Sequence, residues 1–307
     1  MTKHNPLDKV PSLLERAAEL YDFTPALRGG AVPYDPAAEP VPVAQPTVPP
    51  APAPRRFSRL QAGPTVAVDR DHLRAGGFII PDDLATATAE EFRIVKRQLL
   101  LGARGGKQQA ALPQGERILI CSAHPDEGKT FCAVNLALSL AAEKDNEVLL
   151  VDADFAKPSV LSALGIAGGG GLMDALANPA VNVEDYVIHT DIPGLAVLPA
   201  GEQTNDDTEF LASSRTETVL GQLTRNNPAR IVIFDSPPAL SASPASVLAT
   251  HVGQVVMVVK ADSTNESSLR DAISLMSGCN TIKLLLNSTK FSPTGRQFGT
   301  YYGYGDE

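Results

Sequence analysis

Residues 122–130 read Ser-Ala-His-Pro-Asp-Glu-Gly-Lys-Thr and lie between an apolar run, Ile118–Cys121, and a long helical pattern, Phe131–Ala142. A strand, a tight loop closing on Gly128-Lys129-Thr130 and then a helix leave the backbone few choices, because the loop must turn the chain from sheet to helix while its amides stay free. Those amides and the helix N-terminus direct partial positive charge at an anion. Lys129 can reach the β- and γ-phosphates of a nucleotide, and the Thr130 hydroxyl is placed to ligate Mg²⁺. The expected nucleotide-contacting stretch is therefore Ala123, His124, Pro125, Asp126, Glu127, Gly128, Lys129, Thr130 and Phe131. Such loops usually begin on a glycine where this chain has Ala123, a change the backbone tolerates if φ stays negative there.

Downstream, apolar runs alternate with helical patterns. The runs are Ile118–Cys121, Val148–Val151, Leu195–Leu198, Ile231–Phe234, Val255–Val259 and Lys283–Leu286. They read as continuous β-branched and Leu stretches, not as alternating ones, as suits strands buried on both faces. Helices are expected over Phe131–Ala142, Leu172–Ala177, Thr216–Arg225 and Ser267–Ser277, with a flexible Gly168–Gly171 loop before Leu172. Strand–helix alternation implies a parallel sheet with right-handed crossovers, an α/β, doubly wound, mostly parallel architecture. Ligands of such sheets gather beyond the carboxyl ends of the strands. Two apolar runs end there on acids: Leu149–Val151 on Asp152-Ala-Asp154, and Ile231–Phe234 on Asp235. A strand-end Asp is also a common turn former. Two of them beside Gly-Lys-Thr point to a metal–nucleotide site. Asn287, closing the last run, is read either as a structural cap or, by resemblance to related P-loop folds, as an adenine contact.

The rest of the 307-residue chain bounds the reading. A net charge of −9 argues against a nucleic-acid surface. Nine of the 25 prolines fall in 31–54, too poor in burial capacity to fold, so 31–65 reads as a disordered Pro/Ala-rich linker after a short helix-bearing segment, 1–30. Within that segment 11–21 could form a marginal helix that docks on a partner. The basic cluster 55–59 reads as a solvated linker end. No stretch approaches the ~18 apolar residues of a membrane span, and the polar start lacks a secretory pattern. A cytosolic location with reduced thiols is expected, and Cys121, Cys132 and Cys279 read as small buried hydrophobes. Thr88-Ala-Glu-Glu91 has capping-box spacing and predicts a helix over 89–102, with Phe92, Val95 and Leu99 buried and Glu90, Arg93, Lys96 and Arg97 exposed. The folded domain is expected over 66–295. Three of six tyrosines, Tyr301, Tyr302 and Tyr304, cluster among glycines in a flexible tail, 296–307, where no core pattern calls for them.

Together these pieces resemble the bacterial P-loop tyrosine kinases, the autokinases of exopolysaccharide synthesis and export. The resemblance covers 81–307. Residues 122–130 look like their Walker A loop, 148–154 like Walker A′, and Ile231–Pro238 like Walker B. Glu90-x-x-Arg93-x-x-Lys96 is similar to their Glu-x-x-Arg-x-x-Arg oligomerisation helix, and Tyr301-Tyr302-Gly-Tyr304 to their autophosphorylated cluster. The N-terminal helix with its Pro-rich linker is similar to the subgroup found with exosortase-type loci. The resemblance implies phosphoryl transfer from MgATP to tyrosine, with Lys129, Asp152, Asp154 and Asp235 catalytic and Thr130, Asp152 and Asp235 around the metal. It also implies a ring-like homo-oligomer and a tyrosine phosphatase as counterpart. A membrane adaptor of the chain-length-determinant type would hold the cytoplasmic protein at the inner membrane. One position departs: the family pattern Asp-x-Asp-x-Arg places Arg where this chain has Ala156, followed by Lys157. The rival readings are a non-catalytic ATP-binding assembly subunit of an export machine, and a positioning-type ATPase. The latter would want Lys where His124 stands.

Overall fold

The computed structural model describes residues 64–289 except 82, 84, 85, 205 and 226. The expected 11–21 helix, the Pro-rich linker, the 55–59 cluster and the tail tyrosines lie outside the described residues.

Seven strands make one sheet: β1 (Arg117–Ser122), β2 (Glu147–Asp152), β3 (Ile188–His189), β4 (Leu195–Leu198), β5 (Arg230–Asp235), β6 (Gln254–Lys260) and β7 (Ile282–Asn287). Their order is β3-β4-β2-β5-β1-β6-β7. Every pairing is parallel except β3 with β4. The helices are α1 (Arg70–Ala75), α2 (Ala87–Arg104), α3 (Lys129–Ala141), α4 (Val160–Leu164), α5 (Leu172–Ala177), α6 (Asp207–Ala212), α7 (Ser214–Arg225), α8 (Pro244–Ala249) and α9 (Glu266–Leu275), with a 3-10 turn at Val183–Tyr186.

The continuously apolar strands explain the layering. Alternate residues of each strand point to opposite faces, so β1 sends Leu119 and Cys121 into one core and Ile118 and Ile120 into the other. The first core is closed by residues of α5–α9, among them Leu172, Leu211, Val219, Leu248 and Ala272. The second is closed by α1–α4 through Leu73, Leu99, Leu136 and Leu164. Each such side chain contributes roughly 1.5–3 kcal/mol on burial. All three cysteines are buried and free. Burial pushes the Cys121 thiol up to about 11 and Cys132 to about 12, so neither is a ready thiolate.

Register sets the site. In the parallel pair β2–β5, Asp152 and Asp235 are direct partners, and the β1 loop emerges beside them.

Two readings of α2 are corrected. Its N-cap is Thr86, in extended conformation, with the side chain accepting from Ala89 N–H at 3.2 Å. The helix therefore starts at Ala87, and Thr88 already lies inside it. Lys96 is buried rather than exposed: its ammonium donates to Ser139 O at 2.8 Å and pairs with Glu143 at 3.0 Å, pinning α2 to the end of α3. A long aliphatic stem that ends among acceptors can bury on an apolar face, which charge patterning does not reveal. Arg93 and Arg97 stay exposed, and Arg93 pairs with Glu90 along the helix. Gly171, expected in a flexible loop, is packed so closely on Pro199 O that a Cβ would collide. Among the described residues no helix is long and apolar enough to cross a membrane.

Candidate functional site

Gly128 adopts φ 93°, and a Cβ there would collide with the Asn287 side chain. Only glycine lets the loop turn this way and feed α3, which begins at Lys129. Ala123 is buried and is not among the residues with positive φ, the condition its Cβ required. Inside the loop, Ser122 Oγ donates to His124 O at 2.8 Å, while the His124 amide donates to Glu127 Oε2 at 2.9 Å. Three side chains, from the end of β6, the turn after it and the end of β7, brace it from outside. Lys260 Nζ donates to Asp126 O at 3.1 Å, the Thr264 hydroxyl donates to Glu127, and Asn287 Nδ2 donates to Glu127 O at 3.0 Å.

At the neighbouring strand ends the carboxylates are bound differently. Asp152 Oδ2 accepts from the amides of Ser159 and Val160, both at 2.9 Å, and its Oδ1 accepts from Asp154 N–H at 3.2 Å. Asp154 Oδ1 takes the Lys157 amide at 3.1 Å, and its Oδ2 lies 3.5 Å from Lys129 Nζ. Asp235 Oδ2 accepts from the Thr130 hydroxyl at 2.6 Å, and Thr130 Oγ1 is 3.0 Å from Ser159 Oγ. The other oxygen of Asp235 is buried without a partner. Loss of water pushes Asp152 up to about 6 and Asp235 up to about 7.

An orphaned buried carboxylate oxygen beside a hydroxyl is a fit for a hard cation. Mg²⁺ is typically held by one or two carboxylates or hydroxyls plus substrate phosphates, and no cluster of three or more metal-binding side chains occurs among the described residues. Thr130 and Asp235, with Ser159 Oγ in reach, are the residues that could hold it. Next to them opens a cavity of about 490 Å³, whose lining includes Lys129, Thr130, Asp154, Lys157 and Ser159 together with His72, Phe78 and Phe131.

The model described as "AAA domain" matches residues 116–289, more than half of the chain. The tyrosine-protein kinase YwqD of Bacillus subtilis is 30% identical over 195 residues, covering 63% of this chain and 80% of the relative. The chain belongs to the AAA-domain family and, within it, to the bacterial tyrosine-protein kinases. The putative tyrosine-protein kinase CapB of Staphylococcus aureus is 24% identical over 74% of the kinase and 95% of its own length. The solved kinase domain of Escherichia coli ETK superposes with a TM-score of 0.61 at 23% identity, covering 78% of the kinase and 88% of that chain, a likeness of fold. Other matched tyrosine-protein kinases are far longer, and this chain spans about a quarter of their length.

The structure brings together Lys129, Thr130, Asp152, Asp154 and Asp235 at adjoining strand ends. It puts Asn287 against the loop backbone. Glu90 and Arg93 lie on α2, away from these residues in sequence, and Lys96 faces inward. Sequence reading missed the braces Lys260 and Thr264, the hydroxyl of Ser159, and the wall residues His72 and Phe78. The last two come from a segment upstream of the AAA match, where no motif marks them. Ser159 could have been found as the hydroxyl after Lys157-Pro158 in a loop already suspected.

Proposed function

We propose that the kinase uses MgATP to phosphorylate its own C-terminal cluster, Tyr301, Tyr302 and Tyr304, in trans within an oligomer, and thereby regulates exopolysaccharide synthesis or export. The observation that carries this reading is the meeting of Lys129, Thr130 and Asp154 on one cavity, with Asp235 buried behind Thr130 and accepting its hydroxyl at 2.6 Å. Phosphoryl transfer needs positioning and charge neutralisation more than covalent chemistry, and these residues supply both. The loop amides and Lys129 hold the phosphates. When bound, Mg²⁺ would neutralise charge on the β- and γ-oxygens. Thr130 and Asp235 are its proposed holders. In this reading Asp152, which accepts three amides, shapes the A′ loop, residues 152–160. Asp154, once Lys129 turns to phosphate, keeps a free oxygen to orient the tyrosine hydroxyl and accept its proton, a sensible partner for a group with a pKa of about 10. Lys157, which lines the same cavity, is the cation nearest in sequence to the position where Ala156 replaces the family Arg.

From the family resemblance we also infer a ring-like homo-oligomer using Glu90 and Arg93, and a membrane adaptor that holds the cytoplasmic protein at the inner membrane. Mass spectrometry of the C-terminal peptide after incubation with MgATP tests the central claim. Phosphotyrosine is expected, and Lys129→Met should abolish it. Firm ATP binding with no phosphotyrosine under any partner condition would transfer the case to a regulatory assembly subunit.

A further inference from the structure

A second cavity, of about 240 Å³, opens beside the first. The A′ loop is the partition: Asp154 and Lys157 line the nucleotide cavity, while the two residues between them, Phe155 and Ala156, line the second. Its other walls include Pro237, two residues beyond Asp235, with Pro244, Asp207 and Ser243. Apolar walls with a few polar groups are the usual make-up of a site for a small, mostly apolar group. Position 156 matters here, because the family's long Arg at this place would stand where Ala156 leaves room.

We propose that this cavity is an acceptor subsite that takes the ring of a second, unphosphorylated tyrosine two residues from the one being phosphorylated. The proposal rests on the reading that the tail is the acceptor. In an extended peptide, residues i and i+2 project from the same side about 7 Å apart. Tyr302 and Tyr304 have that spacing, with Gly303 between them. Two neighbouring cavities divided by one short loop match two rings so arranged: Tyr302 presents its hydroxyl to Asp154 and the γ-phosphate, while Tyr304 packs on Phe155, Pro237 and Pro244. β7 ends at Asn287 and twenty residues follow it, so every copy of the chain carries such an occupant. Asp207 sets the charge preference. Its Oδ1 accepts from Thr204 N–H at 2.9 Å and from the Thr204 hydroxyl at 2.8 Å, so the carboxylate is fixed in the wall. A carboxylate there accommodates a phenol and repels a phosphate, which makes the subsite read the phosphorylation state of the neighbour.

The test uses the full chain and peptides of the sequence 300–307 in which Tyr301→Phe leaves Tyr302 as acceptor. Position 304 is varied as Tyr304→Phe, Tyr304→Ala or phosphotyrosine. The Phe peptide should be the best substrate. The Ala peptide should show a KM higher on the order of tenfold, the scale of one aromatic ring left unburied, with kcat and the KM for ATP unchanged. The phosphotyrosine peptide should be worse still, and Asp207→Asn should relieve that penalty. Ala156→Phe, which fills the cavity from an exposed position, should erase the difference between the Phe and Ala peptides. Phosphorylation of Tyr302 indifferent to position 304 would overturn the subsite alone. No phosphorylation of any of these peptides by an enzyme active on a random Glu/Tyr polymer would overturn the tail reading beneath it, and an enzyme inactive on every tyrosine would overturn both.

Discussion

The ends of β2 and β5 carry carboxylates in register, Asp152 opposite Asp235, yet the two are bound in contrasting ways. Asp152 accepts three backbone amides from the loop that follows it. Asp235 accepts one hydroxyl and keeps a buried oxygen with no partner at all. Position in the sheet is therefore not role. The protein itself supplies Asp152 with three donors, whereas Asp235 is left with unused acceptor capacity that an ion could fill.

The largest effect that could break this contrast is on turnover. Asp235→Asn removes the charge while keeping the size, and should lower tyrosine-kinase turnover by on the order of 10²–10³-fold, the scale of losing one aimed electrostatic group. Nucleotide-free protein should stay folded. Near-normal phosphotyrosine yield in this variant would end Asp235's assignment to the metal.

Stability gives the next test, with opposite signs at the two positions. Asp152→Asn sets an amide where three N–H groups need acceptors; compared at pH 5, below the value of about 6 to which burial pushes Asp152, it should cost about 1–3 kcal/mol, a Tm drop of roughly 3–10 °C. Asp235→Asn should do the reverse in the absence of metal and nucleotide. Desolvation raises the Asp235 pKa from an unfolded value of 3.8 to about 7, so between those values the folded state holds the extra proton. The wild type then loses stability as pH rises through that window. The Asn variant escapes this, so its Tm advantage over wild type in EDTA should grow from pH 5 to pH 8. A constant or shrinking advantage in differential scanning fluorimetry would mean Asp235 is not strained by its burial.

Why the fold was legible and the division of labour was not follows from the same residues. Ile118–Cys121, Leu149–Val151 and Ile231–Phe234 are apolar on both faces and end on Ser122, Asp152 and Asp235, so strand identity and the ligand-binding edge could be read from composition alone. The two-residue β3 is too short and too half-buried to leave a period, and the short helices α1, α4, α6 and α8 span only one or two turns. Lys96 misled because its neighbours mark an exposed helix face, while its acceptors, Ser139 O and Glu143, lie more than forty residues away. The different hydrogen bonding of Asp152 and Asp235 was hidden for a similar reason: it depends on which donors fold back onto each carboxylate, and for Asp152 these are the amides of Asp154, Ser159 and Val160.

The smallest expected effect comes from the region that braces the phosphate loop, and it completes the contrast between holding nucleotide and transferring from it. Glu127 is buried within the loop, with one carboxylate oxygen accepting from the His124 amide and the other from the Thr264 hydroxyl on the turn after β6. Thr264→Val keeps the volume but leaves that oxygen with no donor, so Glu127 is free to pull the loop amides away from their anion-binding geometry. Because Lys260 and Asn287 still hold the backbone of Asp126 and Glu127, only part of the hydrogen-bond energy, about 1 kcal/mol, should reach the ligand. The Kd for ATP should rise about 3–10-fold with kcat close to wild type, and Thr264→Ser, which keeps the hydroxyl, should bind as the parent does. A variant that binds ATP normally but transfers phosphate slowly would place Thr264 among the groups that act in the transition state, and the division between a loop that binds and strand ends that react would no longer hold.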